Sequence, residues 1–141
     1  MLGFLKKKTR KAVAEVKKME NRDTVEATVW GGFYIAYYDG ECTPEEVSIL
    51  ERTIQATPSF SSFTSEIAQL SANIRQQFEA SARRAAAQAL RELEDIAGTS
   101  DAVDVLCLCI DIADQDGIGE DEEKALRKIA SALKLTLDPY L

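Results

Sequence analysis

The chain has 141 residues, 45% of them apolar, with 17 Lys/Arg against 24 Asp/Glu and a net charge of −7. That length supports one compact domain with a real core and is too short for two ordinary ones, while the acidic balance argues against nucleic acid as the main partner, because phosphate binding needs a positive footprint. There is no His, so the commonest general base and the commonest transition-metal ligand are both missing.

The charge is unevenly placed. Residues 1–20 hold seven Lys/Arg and two acids, giving a head of +5 and a remainder of −12. Leu2, Leu5, Ala12, Val13, Val16 and Met19 form one stripe with the lysines largely off it, which predicts a basic amphipathic helix over 1–20 ahead of a helical domain over 21–141. Packing of this helix on the domain is favoured over contact with anionic lipid or a partner. The apolar opening is too short for a secretion signal and no run is long enough to cross a bilayer, so the expected place is the cytoplasm, including the inner membrane face. Cys42, Cys107 and Cys109 are odd in number and suit neither a disulfide framework nor a zinc knuckle.

Beyond the head, Asp23 and Glu26 predict an N-cap and N3 pair for a helix carrying Val25, Val29, Phe33 and Ile35 and ending at Asp39-Gly40. Gly31 and Gly32 each weaken such a helix by about 1 kcal/mol relative to Ala, so they predict the close approach of another helix. Thr43-Pro44-Glu45-Glu46 predicts a helix start, with Thr as N-cap, Pro at the first position and Glu46 completing a capping box, and this helix runs to about Ala56. "TPSFSSFTS" (57–65) predicts a turn region. Helical pattern then extends from about Glu66 to Ala97, long enough to require a break near Phe78–Ser81. Gly98 closes it, and Ser100 or Asp101 caps "AVDVLCLCIDIA", whose apolar surround predicts a buried helix with Cys107 and Cys109 as inert core thiols. That helix ends at Asp116-Gly117, and a last one spans about Asp121–Leu133. Strand signals are weak throughout, and Trp30, Tyr34, Tyr37 and Tyr38 read as core and rim aromatics.

"IAYYDGECTPEE" (35–46) recurs as "IADQDGIGEDEE" (112–123), with Ile, Ala, Asp, Gly and two consecutive Glu in register. The fold expected is therefore all-α, a compact domain built on two pseudosymmetric helix–turn–helix repeats, one copy around 24–56 and the other around 101–134. Asp-Gly suits a turn, and Glu suits the positive end of a helix dipole. Two features ask for more than local structure. An Asp near a helix C-terminus opposes the macrodipole at a cost of about 0.3–1 kcal/mol, and here it occurs twice. Seven acids also fall within residues 111–123, and their mutual repulsion favours a hard cation, calcium first, then magnesium or manganese. An EF-hand is rejected, since with Gly117 as its glycine the first loop position is Ile112, where an acid is required. If the copies pack about a pseudo-twofold axis, Asp39, Glu46, Asp116 and Glu123 converge as a shared metal site. No nucleophile or phosphate-cradling loop accompanies the acids, so enzymatic activity is not expected.

"IAYYDGECTPEE" and "IADQDGIGEDEEKALRKIASAL" resemble the two halves of the tellurite-resistance protein B (TerB) family, and the basic opening and the ending "LKLTLDPYL" extend the resemblance over most of the chain. Tyr37 and Tyr38 before the first Asp-Gly, and Gly119 after the second, depart from the family pattern. The resemblance implies an all-helical fold with an acidic metal-binding surface, carried here by Asp39, Glu46, Asp116 and Glu123. It also implies a role in tellurite resistance, stress response or phage defence beside membrane-associated protein partners. The expected function is a non-catalytic, metal-responsive binding module that acts through a divalent cation and protein partners. The alternative is a structural or interaction subunit, a homo-oligomer or part of a phage or defence assembly, using the same fold without metal.

Overall fold

The computed structural model describes residues 22–141; the basic helix predicted over 1–20 lies outside the described residues. Six α-helices follow: α1 over 22–36, α2 Pro44–Gln55, α3 Thr64–Ala80, α4 Ala82–Asp95, α5 Ala102–Ala113 and α6 Glu120–Ala132. There is no strand among the described residues, so the all-α expectation holds.

Helix α1 is the centre of the domain. From residue 24 to residue 35 only Glu26 escapes full burial. A helix enclosed on all sides must let its neighbours come near, and the adjacent glycines do this. A Cβ on Gly31 would stand 2.8 Å from Cys109 Sγ of α5 and within 4.0 Å of Leu93 on α4 and Ile129 on α6, while one on Gly32 would meet Leu50 of α2 at 3.1 Å. Trp30 adds α3 through Phe78, with ring centroids 6.4 Å apart. The one polar side chain fully enclosed mid-helix, Thr28, donates its hydroxyl to the Thr24 carbonyl at 2.8 Å, which removes the cost of burying it bare.

Local signals explain most helix ends. At α2 the Thr43 hydroxyl accepts the Glu46 N–H at 3.2 Å and Pro44 takes the first helical position, so the Thr43 half of the predicted capping box forms. The predicted break in the long helical stretch falls at Ser81, which is extended (φ −159, ψ 96). Its N–H closes α3 on the Gln77 carbonyl and its own carbonyl receives Ala85 N–H to start α4. Residues 58–63, predicted as turn, coil into a 3₁₀ helix. Three-residue periodicity puts Phe60 and Phe63 on one side, and both are buried.

Three expectations need correction. Helix α1 is already under way at residue 22, so Asp23 lies within it and is not its N-cap. Asp101 stands at the N-cap of α5 without capping it; its carboxylate instead accepts the Thr24 hydroxyl at 3.1 Å, tying the start of α5 to the start of α1. Helix α5 buries Val105, Leu106, Cys109 and Ile110 but leaves Val103 and Cys107 exposed, so only one of its two thiols is in the core. Burial drives the Cys109 thiol up to about 12. Cys107 is raised as well, by partial burial and then by the charges of Asp111 and Asp104, and neither thiol is a ready thiolate at neutral pH.

Candidate functional site

The two Asp-Gly turns end at one place. Helix α1 gives way after residue 36, Gly40 N–H reaches back to the Tyr37 carbonyl at 2.9 Å, and Gly40 takes φ +105. Helix α5 ends with Asp114 N–H on the Ile110 carbonyl at 2.9 Å, and Gly117 takes φ +89. No Cβ is tolerated cheaply at such angles, so glycine follows Asp in both copies for a backbone reason. Between the turns lies a cavity of about 350 Å³. Its floor is apolar, from Ile35, Ala36, Leu50 and Ile112, with Ile49 beside them. Its rim is acidic: Asp39 and Asp116 from the turns, Glu46 from α2 and Glu122 from α6.

Three of the four acids singled out in the sequence thus line one cavity. The fourth does not. Glu123 faces Arg127, whose guanidinium lies 2.7 Å from its carboxylate and 3.0 Å from that of Asp138. Glu122 holds the fourth place, for a reason in the helix starts. Helix α2 begins at Pro44 and puts Glu46 at its third position, whereas α6 begins at Glu120 and puts Glu122 at its third. The second helix therefore starts one residue early relative to the sequence match. Gly119 permits this: it takes the cap position, and its N–H bonds the Glu122 carboxylate at 3.4 Å. The signal was present as the capping spacing Gly119 to Glu122, hidden by aligning the Glu-Glu pairs.

Asp39 does local work too, accepting the Glu41 N–H at 3.4 Å as an Asx turn does. None of the four rim acids meets a Lys or Arg among the described residues, while Glu120, Glu123 and Asp138 each do. Glu120 and Asp121 continue the acidic surface into a smaller adjoining cavity that shares Ile35, Asp39 and Glu122. The thiol of Cys42, half-buried behind the first turn, is pushed up to about 11 by burial and then by the charge of Glu46, with Arg75 acting against them. It stays protonated and offers no soft anionic ligand.

The aromatics that depart from the family pattern turn away from the cavity. Tyr37 stacks on Phe78 at 4.8 Å with planes 5° apart, and Lys128 sits 5.2 Å from the centre of the Tyr38 ring. In chemistry the rim fits a hard divalent cation, with several carboxylate oxygens, no imidazole and no thiolate. In geometry it is open: among the described residues no three Asp, Glu, Cys or His groups already stand close enough to hold an ion.

Residues 26–139 match the family described as tellurite resistance protein TerB. No curated protein and no solved structure matches the chain. No enzymatic family is indicated, and no helix among the described residues is long and apolar enough to cross a membrane. The matched span covers most of the chain, which therefore belongs to the TerB family of tellurite-resistance proteins.

Proposed function

We propose that this TerB-family chain is a non-catalytic binding module whose acidic cleft takes up a divalent cation, calcium ahead of magnesium and manganese, and thereby adjusts a surface read by protein partners. One observation carries this reading: acids from both Asp-Gly turns, with Glu46 and Glu122, rim a single cavity and have no basic partner among the described residues. Carboxylates left to repel one another gain most from a divalent guest, and the ion would draw α1, α2, α5 and α6 together at that end. Occupancy would stabilise that arrangement by linkage, and a partner preferring it would feel the cation. In this reading the two copies are related by a pseudo-twofold axis, which the Thr24–Asp101 hydrogen bond between matched positions supports. Partners at a membrane and a role in stress or phage defence belong to the same proposal.

Titration calorimetry with calcium, magnesium and manganese tests it. Binding tighter than millimolar by at least one ion is expected, and silence from all three would remove the basis of the sensor reading. A second reading, an interaction subunit that works without metal, draws on the open geometry of the rim. It would be favoured by partner binding that is indifferent to chelator.

A further inference from the structure

The cleft has a feature that a bare ion does not use. Its floor is aliphatic, from Ile35, Leu50, Ile112 and Ala113, and Ile49 beside it remains 40% exposed. A metal ion is held by oxygen and gains nothing from such walls. An amphipathic cation gains from both parts, laying methylenes on the floor and a charged end on the rim.

We propose that the occupant is the basic head of this same chain, residues 1–20, and that it and the divalent cation exclude each other from the cleft. The proposal rests on the cation reading for the competition, and on charge and reach for the docking. The head carries seven of the 17 Lys/Arg of the chain, interleaved with Leu2, Phe4, Leu5, Val13 and Val16. The rim presents four carboxylates with no Lys or Arg of the described domain against them. The cleft nearest the point of attachment is a poorer match, because its Glu66 already has a cation in Arg22 at 3.5 Å. Helix α1, which separates that point from Asp39, is about 22 Å long at 1.5 Å per residue. Lys6 to Lys11 precede Arg22 by 11 to 16 residues, enough for about 17–24 Å even if fully coiled and for more if extended. Tethering makes the docking intramolecular, so modest contacts suffice to hold it.

The test uses the full-length chain in chelator, comparing amide NMR spectra of the wild type with those of a variant carrying Lys6→Gln, Lys7→Gln, Lys8→Gln and Lys11→Gln. Expected are shifts at Asp39, Gly40, Ile49, Asp116 and Gly117 that do not change on dilution. Shifts confined to Arg22, Glu66 and Leu70 would put the head elsewhere and overturn the proposal, as would an unchanged spectrum. Concentration-dependent shifts would assign the cleft to the head of a second copy and overturn the intramolecular form. Calcium titration supplies the second arm. A head filling the cleft about nine-tenths of the time weakens apparent affinity about tenfold, and the variant regains that factor. Equal calcium affinities with unmoved cleft amides sink the head docking while leaving the cation reading intact. Moved amides with no calcium binding sink the cation reading while leaving the docking.

Discussion

The first turn of the molecule and the second carry the same words and are built differently. At the first, Thr43 caps α2 with its hydroxyl and Pro44 fixes the start, so Glu46 is delivered to the cleft. At the second, neither Thr nor Pro is present. Gly119 and Glu122 form the cap, the helix begins a residue sooner, and the carboxylate facing the cleft is Glu122. What decides which acid reaches the cleft is the residue that starts the helix, not the alignment of the acids. The copies differ in the core as well. The first supplies Gly31, and the second supplies the Cys109 side chain that fills the space it leaves.

That core asymmetry gives the largest expected effect. Gly31→Ala drives a Cβ against the fully buried Cys109 sulfur, and overpacking of this kind costs about 1–3 kcal/mol, reduced by about 1 kcal/mol of gained helix propensity. Chemical denaturation of Gly31→Ala should show a lowered midpoint that Cys109→Ala in the same chain largely restores. If the double variant is no better than the single, the close approach is not what the glycine is for.

The turns should behave alike. Gly40→Ala and Gly117→Ala each force a Cβ onto a positive φ where nothing crowds it, so backbone strain alone should cost about 1–2 kcal/mol in each. A large difference between them in thermal melts would break the equivalence of the two corners. At the helix starts the copies should part: Thr43→Ala loses a side-chain cap, for about 1 kcal/mol, whereas Gly119→Ala keeps its backbone N–H and costs roughly half of that, from the poorer fit of Ala at a cap and a Cβ 3.2 Å from the Glu122 carboxylate. Equal losses would show that the two starts are capped by the same means.

The fold was largely legible because its signals are local. Pro44 after Thr43, the Asp-Gly turns and the break before Ala82 are written in residues whose backbone preferences act within one turn of helix. The glycine pair announced a close approach, but not that Cys109 would be the partner, since that depends on how α1 and α5 cross. Of the four acids that rim the cavity, the repeat points to Asp39, Glu46 and Asp116, while Glu122 is hidden because the doubled Glu pairs align more visibly than the helix starts. Asp23 fails as a cap because a residue with capping chemistry caps only if the helix begins there, and α1 begins earlier; Asp101 does stand where α5 begins, but its carboxylate is turned to the Thr24 hydroxyl. Cys107 was expected in the core because α5 is apolar on most sides, yet a helix at the domain surface keeps one face outward whatever its composition.

Calcium titration of Glu122→Gln beside Glu123→Gln, both in the full-length chain, tests most directly whether the cleft and not the sequence match defines the cation site. Removing one ligand charge from a calcium site weakens it by roughly tenfold or more, so Glu122→Gln should bind at least that much more weakly. Glu123→Gln, which loses only an exposed pair with Arg127, should bind within about twofold of the wild type. A Glu123→Gln loss equal to or greater than that of Glu122→Gln would contradict the site as drawn.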